Sequence, residues 1–180
     1  YFENIKKIIC VSREIADELK IINVAEEKIE IISSGICLDE FKNADKSAVI
    51  DLRDKYSKPI IISVGVLRIN KGFSYLINAF NQIANQYKIQ LLLVGDGFTR
   101  QKLEKYVKTL SSNNTIVFLG QRNYVPKILA LSDIFVLPTF FEGLSFAILE
   151  AMASQLPIIT TNIPENKELI KNNHSGLLCP

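Results

Sequence analysis

From Pro59 onward, short and almost purely apolar runs alternate with longer amphipathic stretches. The runs are Ile60–Val64, Leu91–Val94, Ile116–Leu119, Ile134–Leu137 and Pro157–Thr160. A strand apolar on both sides is buried on both faces, the mark of a parallel sheet held between two layers of helices. Gly65, Gly95 and Gly120 end the first three runs. Glycine there lets the chain turn tightly at the carboxyl edge of the sheet, where such folds bind ligands. Between the runs, Leu76, Ile77, Phe80, Ile83, Ala84 and Tyr87 follow one helical face, and Leu103, Tyr106, Val107 and Leu110 repeat the pattern. Val125-Pro126 opens a short helix through Leu131, with proline in the first turn. The alternation predicts a doubly wound α/β domain, a parallel sheet with helices on both faces.

The first part of the chain reads differently. Ile8–Ser12 predicts a strand, Arg13 to about Lys20 a helix, and Ile29–Ile32 a second strand leading to Ser34-Gly35. Asp39 to Lys58 is polar, charged and weakly patterned, as a surface linker is. The chain opens on Tyr1 rather than methionine and stops at Pro180 just after an apolar strand, so both ends read as cuts in a longer protein.

Composition removes several classes of function. With 21 Lys+Arg against 19 Asp+Glu the net charge is +2, and the basic stripe of a nucleic-acid binder is missing. No apolar run approaches the roughly 20 residues that a membrane-spanning helix needs. Cys10, Cys37 and Cys179 are widely separated and His174 is the single histidine, which argues against a zinc site or a histidine-based triad. Few, unpatterned cysteines fit a reduced, cytosolic protein.

The stretch most charged with chemistry runs from Phe141 to Ala153. From Leu144 to Ala153 nearly every residue is apolar, so a helix there is expected to be buried all round, with Glu150 as the exception. A carboxylate in such surroundings is costly unless paired or hydrogen-bonded. A salt bridge, a narrow exposed polar edge and a ligand all answer that cost. Gly143 lies where a strand gives way to the helix, so free N–H groups of Leu144, Ser145 and Phe146 are expected to form an anion site. From a start near Leu144, Glu150 lies about 9 Å along the axis at ~1.5 Å per residue. That spacing suits a ligand with phosphate at one end and a diol at the other, since one carboxylate accepts from two neighbouring hydroxyls. Glu142, on the preceding loop, would reach the far side of the phosphates.

A diphosphate also needs a cation. The loop Gly65-Val66-Leu67-Arg68-Ile69-Asn70-Lys71-Gly72 offers Arg68 and Lys71. Lys71 at a helix start is unfavourable on dipole grounds, a conflict that an anionic ligand resolves. A solvated loop lysine is the plain alternative.

Taken together, Gly65-x-Leu67-x-x-x-Lys71-Gly72, Val94-Gly95-Asp96-Gly97, Phe118-Leu119-Gly120, the Glu142 and Glu150 pair before Ala151-Met152-Ala153, and Ser175-Gly176-Leu177-Leu178 resemble the group 1 (family 4) glycosyltransferases. The resemblance covers essentially the whole chain. It implies one Rossmann-like half of a GT-B fold. Residues 1–40 would be the end of the amino-terminal domain and the crossover, 41–58 a linker, and 59–180 the donor-binding domain, truncated at its carboxyl end. It implies retaining transfer of a hexose-type sugar from a nucleoside-diphosphate sugar to an acceptor hydroxyl, in glycan or cell-envelope polysaccharide synthesis, with no metal and no cofactor.

By the same resemblance, Lys71 and the amides before the helix bind the diphosphate, Glu150 binds the ribose hydroxyls, and Glu142 lies by the transferred sugar. Gly65, Arg68, Gly143, Leu144, Ser145 and Phe146 complete the donor contacts, with Gln121 and Arg122 near the base. Lys71 and Glu142 are the catalytic candidates. The family arginine commonly follows the first glycine directly, where this chain has Val66, and Arg68 is the nearest substitute. Glu165 stands where related sequences often have glycine.

The acceptor, a glycan or a lipid-linked sugar, would be held by the other domain, so the isolated chain is expected to bind donor and turn over poorly. Cytoplasmic location is implied, with peripheral contact at the inner membrane face open for the full protein. An inactive nucleotide-sugar-binding module, a GT-B sugar-nucleotide epimerase and a plain doubly wound receiver or transport domain are the competing readings.

Overall fold

A computed structural model of the chain describes residues 4–42, 44, 56 and 59–180. Its centre is a six-stranded parallel sheet of β3 (Ile60–Val64), β4 (Gln90–Val94), β5 (Ile116–Gly120), β6 (Ile134–Leu137), β7 (Ile158–Thr161) and β8 (Leu177–Cys179), in the order β5-β4-β3-β6-β7-β8. The register is regular from Ile60 opposite Gln90 to Val64 opposite Val94, and Ile61 faces Ile134 on the other side. Every residue of β3 and β4 is buried. The first two apolar runs therefore lie in the interior of the sheet, whereas the third, β5, forms one of its edges.

Strand alternation sorts their side chains into two cores. Ile61, Leu91 and Leu93 face α3 (Phe73–Ala84) and α4 (Arg100–Val107), which bring Phe73, Ile77, Phe80 and Leu103. Ile60, Ile62, Leu92 and Phe135 face the opposite layer, where α5 (Val125–Leu129) and α6 (Phe146–Ala153) bring Ile128, Leu129, Ile148 and Ala151. Phe80 is buried at the centre of the first core, and Phe80→Ala there is expected to cost about 3–5 kcal/mol in lost contact and cavity.

The elements depart from the periodicity at their ends. Helix α3 stops at Ala84, so Tyr87 lies beyond it and is exposed. Helix α5 closes at Leu129, two residues before the expected Leu131. Helix α6 begins at Phe146, not Leu144, and is not buried all round. Ile148 and Ala151 are buried, whereas Phe146 is 50% and Met152 40% exposed. A helix lying on a sheet presents one stripe to it: Ala147 and Ala153 pack beside Ile148 and Ala151, and Phe146 and Met152 face outward.

The amino-terminal part forms a βαβ unit. β1 (Ile8–Cys10) pairs in parallel with β2 (Ile29–Ile31), and α1 (Arg13–Ile21) connects them. Ser12 caps α1, accepting from the Ile15 amide. The Arg13 amide donates to Glu168 on α7 (Pro164–Leu169), which ties this unit to the large sheet. Part of the expected linker is ordered: Leu38–Lys42 forms α2, whose Phe41 is buried in the core beside α6. Tyr56 is buried in the same core, and the rest of the expected linker lies outside the described residues.

Candidate nucleotide-sugar site

The sheet grows outward from β3 through β4 to β5, then returns to β6 beside β3 and grows the other way. The β3/β6 boundary is thus the point where strand order reverses, and the crevice at its carboxyl edge is where open α/β sheets hold ligands. Two loops meet there, 65–72 after β3 and 138–145 after β6.

Backbone contact fixes their relation. Gly72 has φ +67°, and a Cβ on it would lie 2.0 Å from the Pro138 carbonyl oxygen. Only glycine fits. Two residues earlier, the Asn70 carbonyl accepts from the Phe140 amide at 2.8 Å and from the Thr139 hydroxyl at 3.2 Å. The result is an ion pair between residues far apart in sequence: Lys71 Nζ lies 2.5 Å from Glu142 Oε1. Glu142 is 7% exposed and Lys71 mostly buried. The two catalytic candidates are therefore brought together, and the unfavourable placement of Lys71 at a helix start is compensated here by a carboxylate.

Gly65 is packed under the neighbouring loop, since a Cβ on Gly95 (φ +130°) would lie 2.0 Å from the Gly65 carbonyl. Asp96 in that loop accepts from the Gly97 amide at 2.7 Å and from Arg100 at 2.7 Å. The Gly97 amide, then Arg100, hold its carboxyl below the usual range. The Val94–Gly97 motif thus shapes the edge.

The free amides at the helix start fall two residues later than expected. Ser145 is the N-cap of α6 with no side-chain cap, and the first intrahelical bond runs from Leu149 N–H to the Ser145 carbonyl. The amides without an intrahelical acceptor are those of Phe146, Ala147 and Ile148. Leu144 and the buried Ser145 form the turn ahead of them. Gly143 lies beneath Val11 and Ile15, whose methyl carbons would stand 3.7 and 3.2 Å from a Cβ there.

Glu150 now stands one turn, about 6 Å, along the axis from Phe146. It is half-buried, and among the described residues its side chain has neither a salt bridge nor a hydrogen bond. Of the bland alternatives, the salt bridge is therefore absent among those residues. Burial, with nothing to offset it, pushes its carboxyl above the ordinary value.

The remaining candidates are not drawn to this pair. Arg68 is exposed and lines a cavity of about 370 Å³ between α3 and α4, with Ser74, Thr99, Lys102 and Tyr106. Val66, in the place of the family arginine, is 47% exposed. Arg122 is exposed after β5, its guanidinium 6.0 Å from the Tyr124 ring centre, and Gln121 beside it is exposed. Glu165 is buried as the second residue of α7. Among the described residues no group of three or more His, Cys, Asp and Glu side chains is placed to hold a metal. No helix among them is long and apolar enough to cross a membrane.

Sequence reasoning missed the polar residues behind the pair. Thr139, Thr160 and Asn166 are buried. Thr160 donates to the Leu137 carbonyl at 2.7 Å, Thr161 to the Thr139 carbonyl, and the Asn166 amide to Thr160 Oγ1 at 2.8 Å and to the Thr161 carbonyl at 3.0 Å. The available signal was a threonine at the end of each of two adjacent apolar runs, at Thr139 and Thr160-Thr161.

Comparison with known proteins gives a consistent picture. Residues 49–180 match the family profile described as glycosyl transferases group 1. The chain is 33% identical over 182 residues to the UDP-Gal:alpha-D-GlcNAc-diphosphoundecaprenol alpha-1,3-galactosyltransferase of Escherichia coli, covering 96% of this chain and 46% of that protein. It is 30% identical over 179 residues to an uncharacterized glycosyltransferase of Methanocaldococcus jannaschii, covering 95% of this chain and 46% of that protein. The fold is similar to that of Anabaena HepE, solved in complex with UDP-glucose, with a TM-score of 0.86, 21% identity and coverage of 97% of this chain and 50% of that one. The chain spans about half the length of the curated relatives it matches.

Proposed function

The chain belongs to the glycosyl transferases of group 1, and from that premise we propose that it forms the donor half of a retaining, metal-independent hexosyltransferase with a GT-B fold. The observation that carries this reading is the Lys71–Glu142 pair at the strand-order reversal, beside the uncapped amino end of α6 with Glu150 one turn on. A nucleoside-diphosphate sugar has matching parts. Its diphosphate meets Lys71 and the amides of Phe146 and Ala147, and its ribose diol meets Glu150. Its sugar lies by Glu142.

As the bond to the anomeric carbon breaks, negative charge grows on the leaving diphosphate. Donors already aimed at that charge stabilise it without reorganising, which is worth about 10²–10³ in rate for one such group. In the ligand-free chain Lys71 is held by Glu142. The diphosphate therefore takes over or shares a cation that is already positioned. The acceptor, a glycan or lipid-linked sugar, would be held by another domain; the undecaprenol-linked acceptor named for the Escherichia coli relative supports the lipid-linked alternative.

Thermal-shift titration of the chain with UDP, GDP and ADP tests the reading. A ligand at ~100 times its dissociation constant stabilises by roughly 2.7 kcal/mol. UDP is the first choice, since UDP-sugars are named for two of the similar proteins. No response to any of the three would remove the proposal. One observation favours a second reading, an inactive binding module: Val66 stands where the family has arginine. Restoration of Val66→Arg in the complete protein separates the two, because an inactive module stays inactive.

A further inference from the structure

Thr139 is fully buried in the loop just after β6, and its hydroxyl touches two carbonyls, that of Asn70 at 3.2 Å and that of Phe141 at 3.1 Å. Asn70 and Phe141 are the residues immediately before Lys71 and Glu142. One hydroxyl therefore lies against the backbone at the root of both members of the ion pair. Thr139 is itself braced from behind: its carbonyl accepts from Thr161, whose own carbonyl accepts from the buried Asn166 amide. The chain of bonds runs from α7 through the end of β7 into both loops of the site.

We propose that Thr139 is a positioning residue of the donor site, setting the spacing of Lys71 and Glu142 and through it the recognition of the diphosphate. This rests on the donor-site reading above. The hydroxyl touches no ligand and acts only through the two backbones. Replacing it by a methyl group keeps the buried volume but removes the one proton that the two carbonyls share, so that the Asn70 carbonyl keeps only the Phe140 amide and the Phe141 carbonyl loses its donor. The loops can then slide relative to each other, and the cation loses its place under the phosphates. A nucleoside without phosphates does not feel that change.

The test compares Thr139→Val and Thr139→Ser in the complete protein, titrated with UDP and with uridine, or with the nucleoside of whichever diphosphate binds. Thr139→Val is expected to weaken the diphosphate roughly fivefold to tenfold, the worth of about one hydrogen bond, with nucleoside affinity unchanged. Thr139→Ser is expected to restore it. In a Lys71→Ala background the valine substitution is expected to add nothing, because the two residues act on one interaction. Equal losses for diphosphate and nucleoside, additive losses with Lys71→Ala, or unchanged diphosphate binding by Thr139→Val would each overturn the proposal. Should the valine variant not fold, Thr139→Ala beside Thr139→Ser gives the same comparison. A wild-type protein that binds none of the diphosphates contradicts the donor-site reading instead, and is recognised before any variant is made.

Discussion

Two glutamates eight residues apart bracket the same segment, and their surroundings differ. Glu142, on the loop ahead of α6, is buried against Lys71 with its charge matched. Glu150, in the second turn of α6, is half-buried with no partner among the described residues, and burial pushes its carboxyl up. A buried pair resists removal of either member, because the other is left uncompensated. A lone, partly desolvated carboxylate is relieved when hydroxyl groups reach it. In the proposed donor site the first region is organised before ligand arrives, and the second is completed by ligand. That difference fits a phosphate end that must stay cationic and rigid, and a diol end that is filled only on binding.

The comparison can be broken most sharply at Lys71. Lys71→Ala strands the Glu142 charge and is expected to cost about 3 kcal/mol of stability in chemical denaturation, with transfer in the complete protein slowed about 100-fold or more. A variant as stable as wild type would show that Glu142 does not depend on the lysine. Glu142→Gln is the milder half of the test. Loss of the charge is expected to lower ligand-free stability by about 1–3 kcal/mol, while the released Lys71 makes the stabilisation by a diphosphate larger than in wild type. A smaller ligand shift would contradict competition for the cation.

At the other end, Glu150→Gln is expected to weaken nucleotide binding about tenfold, through loss of charge-assisted bonds to the diol, and to leave a 2′,3′-dideoxy analogue unaffected. Its effect on stability has the opposite sign to that of Glu142→Gln. A carboxyl raised in the folded state binds its proton more tightly there than in the unfolded chain, so wild-type stability falls as pH rises from near 4.5 through the raised value. Glu150→Gln is therefore expected to gain on wild type across that window and to stay ahead above it. Parallel pH–denaturation curves for the two proteins would remove the contrast. The smallest effect is expected from Val66→Arg. An added, exposed cation at the phosphate end is worth only about 1 kcal/mol or less, seen as a few-fold tighter diphosphate binding with no change for the nucleoside.

How much of this was legible depended on whether the information was local. Strands β3 to β7 showed themselves because each run is largely apolar, and Ile60–Val64 and Gln90–Val94 are buried on both sides in the finished sheet. Lys71, Glu142 and Glu150 were each recognisable from their motifs. The ion pair was not, because it rests on contact between Gly72 and Pro138, which no spacing along the chain reports. Helix α2 was read as linker because a five-residue helix with one buried anchor, Phe41, has no period to detect. The start of α6 was set too early because apolar residues run straight through the turn at Leu144, although Ser145 is a residue type that favours an N-cap. Thr139 went unremarked since a threonine at a strand end has many ordinary uses, and its two acceptors come from different loops.

The contact of Gly72 with Pro138 has a consequence for anyone redesigning the molecule. Loops 65–72 and 138–145 are one exchangeable module, although 65 residues separate them in the chain. A chimera that imports either loop alone from another enzyme inherits a foreign partner across a gap with no room for a methyl group. Imported together, the two loops bring their own fit with them.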